Sequence, residues 1–309
     1  MQPNRQSQNP IPPTPQPTPI HEHPAVTRAR NRGDYGILAL NIAIILAIFA
    51  IILRFFPTLL DAGSESGLGP VGLAVTYIII IVAIVLMSMV MIRMERQRFL
   101  SNCLQIEFSN YAWLRDWANQ VSADLRMPYV EIFVTQHPVI NAGALGFIRP
   151  YNIILFSGAV RYLTQDELRV VVLHEMAHIK YRHTHALVYT NGFRAIPFIG
   201  PFFGWILNFF FRRAEYTADS LAYHFTGDAD LVKRSLIKVH VGPDVASSYN
   251  AVTQQWQEYK SNNFLNAVTQ TTATHPFLVR RLRNIDRLYT LNQQPQVAPI
   301  VKGSPNATP

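Results

Sequence analysis

The run His174-Glu175-Met176-Ala177-His178 sets two imidazoles four residues apart, with a carboxylate beside the first. On a helix, residues four apart lie one above the other, so both rings leave the same face. Zinc in a hydrolytic site takes a small set of neutral imidazole and carboxylate ligands and keeps one position open for water. Glu175 adjoins the first ring, where it can take a proton from that water. The chemistry this spacing points to is metal-assisted hydrolysis. The five-residue pattern also occurs in many unrelated chains, so its weight depends on what surrounds it.

The elements that must position these residues begin at Thr164-Gln165-Asp166-Glu167, which reads as a capping box at a helix start. From there Leu168, Val171, Val172 and Met176 form a helical apolar stripe. Asp166, Glu167, Arg169, Lys180 and Arg182 are expected to keep another side wet. This is the pattern of a helix in a soluble domain, and it excludes a metal-binding helix set in a long uncharged span.

A third ligand is needed. A metzincin arrangement is excluded, because Tyr181 and Thr184 stand where it requires Gly and His. On a continuing helix His185 lies about 16 Å along the axis from His174, so His183 and His185 are read as polar surface or helix-end residues. Downstream, Glu215 and Asp219 are four apart and share one helical face. One of the two can bind zinc while the other accepts a hydrogen bond from the far nitrogen of a ligating histidine.

Five stretches resemble the HtpX-like family of membrane zinc metallopeptidases, related to the CAAX prenyl proteases and grouped with the gluzincins. They are Asn141-Ala142-Gly143-Ala144; the strand Ile153 to Gly158; His174 to His178 with its Asp166-Glu167-Leu168 approach; Arg212 to Asp219 followed by Ala222; and Thr274-His275-Pro276 with Arg281 beyond. The chain departs from the family at Gly143, where a larger side chain is usual. The resemblance covers about residues 95 to 290 and the preceding apolar segments. It implies that His174, His178 and Glu215 hold one Zn2+ and that Glu175 is the base. It also implies that Asp219 orients a ligating imidazole and that Asn141 contacts substrate. His275, with Tyr216 behind it, is the candidate donor to the oxyanion, and Arg281 is expected to anchor the last helix on a carboxylate.

Composition divides the chain. Residues 1–34 are polar and Pro-rich and are expected to be a disordered tail, as is 292–309. Gly36 to Leu53 and Val71 to Ile92 are apolar runs of the length that crosses a bilayer, about 20 residues. Arg28, Arg30 and Arg32 precede the first run and Arg93, Arg96 and Arg98 follow the second, so the positive-inside rule places both the tail and the catalytic domain in the cytoplasm. By resemblance the membrane is a bacterial plasma membrane. The net charge of +8 comes from scattered residues without a nucleic-acid recognition motif, which favours anionic lipid headgroups as partner. Cys103 is the single cysteine, which excludes an intrachain disulfide.

The apolar insert 195–211 lies between the two halves of the motif. Only 215 − 178 = 37 positions separate His178 from Glu215, whereas two crossings need about 40 residues. The insert is therefore expected either to dip into the membrane face as a hairpin broken by Pro197, Gly200, Pro201 and Gly204, or to pack as core.

The expected architecture is α+β. A two-helix transmembrane hairpin (35–92) precedes a mostly helical zinc metallopeptidase domain (93–291) with a small edge sheet built from 130–134, 140–145 and 153–156. An extended polypeptide substrate would add to that edge. The functions this implies are a membrane-anchored endopeptidase for membrane or misfolded proteins, a CAAX-type processing protease, or a zinc-containing scaffold without activity.

Overall fold

Where a disordered tail is expected, the chain instead forms a first helix, α1 (Pro24–Ala29). The computed structural model describes residues 22–31, 33–60, isolated positions between 75 and 94, 96–145, 149–194, 200–263, 266, 269 and 275–293. The remaining parts of both expected tails lie outside these residues. His23 caps α1 by accepting from the Ala25 N–H at 3.2 Å, and Pro24 sits in the first turn, where a missing N–H leaves no bond unmade. Ala25, Val26 and Ala29 are buried. The expected tail is corrected at α1 and at Asp34, where the next helix starts. Small side chains carry little hydrophobic signal, yet they allow close helix approach, and tertiary packing rather than local propensity orders so short a helix.

Helix α2 (Asp34–Leu60) follows and covers the first expected span. The side chains of its last ten residues, and most of 71–92, lie outside the described residues. Among the described residues, no helix is long and apolar enough to cross a membrane.

The sheet comprises β1 (Leu104–Gln105), β2 (Val130–Thr135), β3 (Ala142–Leu145) and β4 (Tyr151–Phe156), in the order β1-β2-β4-β3. β2 and β4 are parallel, with Ile132 opposite Ile153, and β3 returns antiparallel along β4, with Ala144 opposite Ile153. β3 is therefore an edge strand. The three expected strands are all present; β1, two residues long, is too short to leave a pattern in the sequence. Between β1 and β2, α3 (Ala112–Asp124) buries Leu114, Ala118 and Val121.

After β4 comes α4 (Ser157–Tyr162), and its Gly158 fixes the loop before β3. A Cβ on Gly158 would sit 2.2 Å from the Pro138 carbonyl oxygen and 2.5 Å from that of Val139. Only glycine allows so close a crossing, and its N–H donates to the His137 carbonyl at 2.9 Å.

The central helix, α5 (Gln165–Lys180), starts with the capping box read from the sequence. The Thr164 hydroxyl accepts from the Glu167 N–H at 3.3 Å, and the Glu167 carboxylate accepts from the Thr164 N–H at 2.9 Å. Its expected stripe is buried, together with Val170, Leu173, Ala177 and Ile179. Arg182, at φ +57°, breaks the helix in the left-handed region, so α6 (His183–Arg194) restarts at once in a new direction. Then come α7 (Gly200–Thr226), α8 (Ala229–Val241), α9 (Pro243–Ala246), α10 (Ala251–Ser261) and α11 (Leu278–Gln293). One core joins Ile132, Leu155, Leu173, Met176, Leu221 and Leu282.

Residues 195–199 of the insert lie outside the described residues, and the rest packs one side into the core as one of the two expected forms has it. The described part is the first half of α7, continuous through Pro201 and Gly204; proline is tolerated in a first turn. Phe203, Leu207 and Phe210 are buried, whereas Phe202, Trp205 and Phe209 are exposed.

Glu167 was expected in solvent but is buried, and Lys238 of α8 donates to its carboxylate at 2.8 Å. Burial alone would raise its pKa; the Lys238 and Thr164 contacts outweigh that and hold it below the usual value. A carboxyl with a folded pKa below its unfolded value, about 4.3 for Glu, gives stability that is complete above that value. The stability is lost as the pH falls through the folded pKa. Glu167→Gln keeps the capping geometry but loses the charge, at an expected cost of about 1–3 kcal/mol at neutral pH. Urea titrations of both proteins should show this gap closing as the pH drops below the unfolded pKa. A gap independent of pH would show that the ion pair contributes nothing.

Candidate metal centre

Helix α5 presents His174, Glu175 and His178, and α7 lies across it presenting Glu215 and Asp219. One donor atom each from His174, His178 and Glu215 lies within 4.8 Å of the others. The two Nε2 atoms are 3.1 Å apart; Glu215 Oε2 is 3.4 Å from His174 Nε2, and Oε1 is 3.6 Å from His178 Nε2. A tetrahedral zinc about 2.0–2.1 Å from each donor requires donors about 3.3–3.4 Å apart. These three residues therefore fit such an ion in donor type and in spacing.

Asp219 does not join them. Its Oδ1 lies 3.0 Å from His174 Nδ1, the ring's far nitrogen, which directs the Nε2 lone pair toward the cluster. The choice between Glu215 and Asp219 that spacing alone left open is thus made by the geometry of α7. Arg281 of α11 grips Asp219 with Nε at 2.7 Å and Nη2 at 2.6 Å, and its Nη1 reaches Glu215 Oε2 at 3.1 Å. The expected anchoring of the last helix on a carboxylate is present, and it engages two carboxylates at once.

The buried charges shape one another. Burial would raise the Glu215 carboxyl, but Arg281, His174 and His275 hold it well below the usual range. Burial would lower His174, yet its bonds to Asp219 and Glu215 push it up to about 10. His178, without a carboxylate bond of that kind, is pushed by burial down to about 4. Burial raises Glu175, which also accepts a hydrogen bond from the Ala144 N–H of β3.

A cavity of about 300 Å³ opens on these groups. Its apolar wall includes Val139, Ile140, Val170, Val171, Val232 and Leu236. Asn141 lines it just before β3; its side-chain oxygen accepts from the Ala142 N–H at 2.9 Å, and its carbonyl accepts from Phe156 N–H at 3.0 Å. His275 also lines it, with Nδ1 3.0 Å from Glu215 Oε1. Tyr216 does not line this cavity. A Cβ on Gly143 would meet nothing within 4 Å, so the departure at that position leaves open space there.

Two supporting residues were not legible in the sequence. His183 was read as a surface or helix-end residue; it is buried, and its Nδ1 lies 3.0 Å from His178 Nδ1 because the turn at Arg182 folds it back. His185, partly buried, instead meets the Tyr151 hydroxyl at 3.4 Å. Asp34, at the head of α2, accepts from Arg213 Nε at 2.8 Å and from the Thr217 hydroxyl at 2.7 Å, bracing α7 on either side of Glu215.

A two-helix histidine and glutamate centre beside an edge strand defines a class of metal-dependent peptidases. Residues 109–289 match peptidase family M48, and the chain belongs to this family of metalloproteases, consistent with the resemblance to HtpX-like enzymes. It is 29% identical over 175 residues to the plastoglobule-localized metallopeptidase 48, chloroplastic, of Arabidopsis thaliana, covering 50% of this chain and 51% of that protein. The chain thus spans about half the length of this curated relative. The crystal structure of S. mikatae Ste24p aligns with a TM-score of 0.43 at 19% identity, covering 81% of this chain and 65% of that one, a likeness too loose to add to the family assignment.

Removing Arg281 leaves two buried carboxylates without their cation. Arg281→Ala is expected to cost about 3–5 kcal/mol in chemical unfolding of the metal-free protein, with Arg281→Lys recovering only part because an ammonium cannot fork onto both carboxylates. Unchanged stability in the alanine variant would show that the pair does not depend on Arg281.

Proposed function

We propose that this chain is a membrane-anchored zinc metalloendopeptidase that cleaves extended segments of membrane or misfolded polypeptides. The observation that carries the reading is the His174, His178 and Glu215 donor set beside Glu175, whose carboxylate is tied to the main chain of edge strand β3. His174, His178 and Glu215 would hold the zinc, which when bound polarises the scissile carbonyl and acidifies the attacking water.

The chain's own residues do the rest. The free edge of β3 pairs with the main chain of the substrate, fixing its direction past Glu175. Asn141 holds the entering end of that strand, and the apolar wall of the cavity takes a substrate side chain. Glu175 accepts the water's proton and delivers it to the leaving amine. His275 donates to the developing oxyanion from the cleft side. Purified Glu175→Gln protein is expected to keep one zinc per chain and lose casein cleavage, while Glu215→Ala loses both, as read by metal analysis alongside the protease assay. Cleavage at the wild-type rate by Glu175→Gln would sink the assignment.

The membrane reading is supported by exposed apolar side chains on two packed helices: Leu40, Ile44 and Leu46 of α2, and Phe202, Trp205 and Phe209 of α7. The Asn41 amide donates to the Ile206 carbonyl at 3.2 Å, holding the helices side by side. Because α1 and Asp34 dock on α7, the segment before the first apolar run lies on the side of the catalytic domain, in keeping with a cytoplasmic placement of both. Phe210, buried against His183, does not belong to this lipid-facing set. In vesicles containing lipid-borne quenchers, Trp205 is expected to account for a quenched share of fluorescence that disappears in Trp205→Phe. Equal quenching in both proteins would place α7 away from lipid.

A further inference from the structure

His178 and His183 approach through their Nδ1 atoms, 3.0 Å apart. The other nitrogen of His178, Nε2, faces His174 Nε2 at 3.1 Å and Glu215 Oε1 at 3.6 Å. A neutral imidazole carries one proton, so if Nε2 offers its lone pair to a metal, the proton of His178 is on Nδ1. The atom facing that proton is His183 Nδ1, which can accept it only while itself unprotonated. We propose that His183 is a positioning residue for the metal ligand His178, a neutral ring that fixes the ligand's tautomer and orientation. This rests on the metal reading given above.

The ring is held for that purpose from several sides. It is 4% exposed, stacks at 28° on Tyr181 with centroids 5.9 Å apart, and meets Phe210 edge-on at 5.9 Å. Its position follows from the left-handed turn at Arg182, which ends α5 one residue before it. The two metal ligands are then backed unequally. His174 leans on a carboxylate, Asp219, whereas His178 leans on an uncharged ring. Glu175, Glu215 and Asp219 already crowd this pocket around a single guanidinium, that of Arg281. An imidazole acceptor orients His178 without adding a further anion, and it leaves that ligand the less basic of the two.

The test uses the full chain in detergent and measures zinc affinity by competition with a chromogenic chelator. His183→Leu removes the acceptor and is expected to weaken zinc binding about 10–100-fold. His183→Asn, whose side-chain oxygen accepts, should bind close to wild type. The metal-free Leu variant should unfold at a temperature no lower than the Asn variant, which separates positioning from a fold defect. Equal zinc affinity in wild type and His183→Leu overturns the proposal, as does an Asn variant as weak as the Leu variant. If the variants do not fold, long-range proton–nitrogen correlation spectra of the wild-type zinc protein decide. A protonated His178 Nδ1 with a bare His183 Nδ1 is expected, and the reverse overturns the proposal. Failure of the metal reading itself is visible separately, as a wild-type protein that takes up no zinc.

Discussion

Two carboxylates one helical turn apart, both withdrawn from water, repel each other and lose their hydration unless cations are brought to them. Glu215 and Asp219 are such a pair, and the arrangement of three helices follows from neutralising them. Arg281 forks onto Asp219 and reaches Glu215, which fixes the rotation and the height of α11 against α7. His174 bridges the same two carboxylates from α5. Moving the histidine ligands therefore disturbs an ion-pair cluster more deeply buried than they are. This is how a site assembled from remote segments is held together before any ligand arrives.

What was legible in the sequence and what was not divide along physical lines. The capping box at Thr164, the apolar stripe of α5 and the apolar runs of β2 to β4 are local patterns, and local geometry realises them. Glu215 and Asp219 were legible as a pair because four-residue spacing puts both on one face, and the resemblance supplied their roles. The misread residues have partners that lie far away in the chain. Glu167 reads as a solvated acid until Lys238 of α8 is brought over it. His183 reads as a helix surface until one left-handed residue, Arg182, turns the backbone. The α1 segment reads as tail because alanines and one valine carry a weak signal, though α1 packs them against α7. In α7 the rotation of the helix sends Phe210 inward and Trp205 out.

Helix α7 carries two duties along one axis. Its first half shows an exposed aromatic stripe on one side and buries Phe203, Leu207 and Phe210 on the other. Its second half holds the carboxylates. Because no break separates the halves, any tilt of the aromatic stripe is passed rigidly to Glu215. In the proposed membrane-anchored state the bilayer surface and the reaction centre share one lever, and the cleft's height above the lipid follows from helix rise and tilt together.

The brace at Asp34 has a consequence for the order in which the molecule can be built. Asp34 bonds to Arg213 and Thr217 across 179 and 183 residues of chain, and Val26 accepts from the Tyr181 hydroxyl across 155. During synthesis α1 emerges long before α7 exists, so its buried face must wait exposed until most of the domain has been made. Contacts of such sequence separation are the last to repay the entropy of closing their loops. The ligand helix is thus braced by a segment made long before it. A nascent chain lacks a finished reaction centre until its two ends of assembly have met.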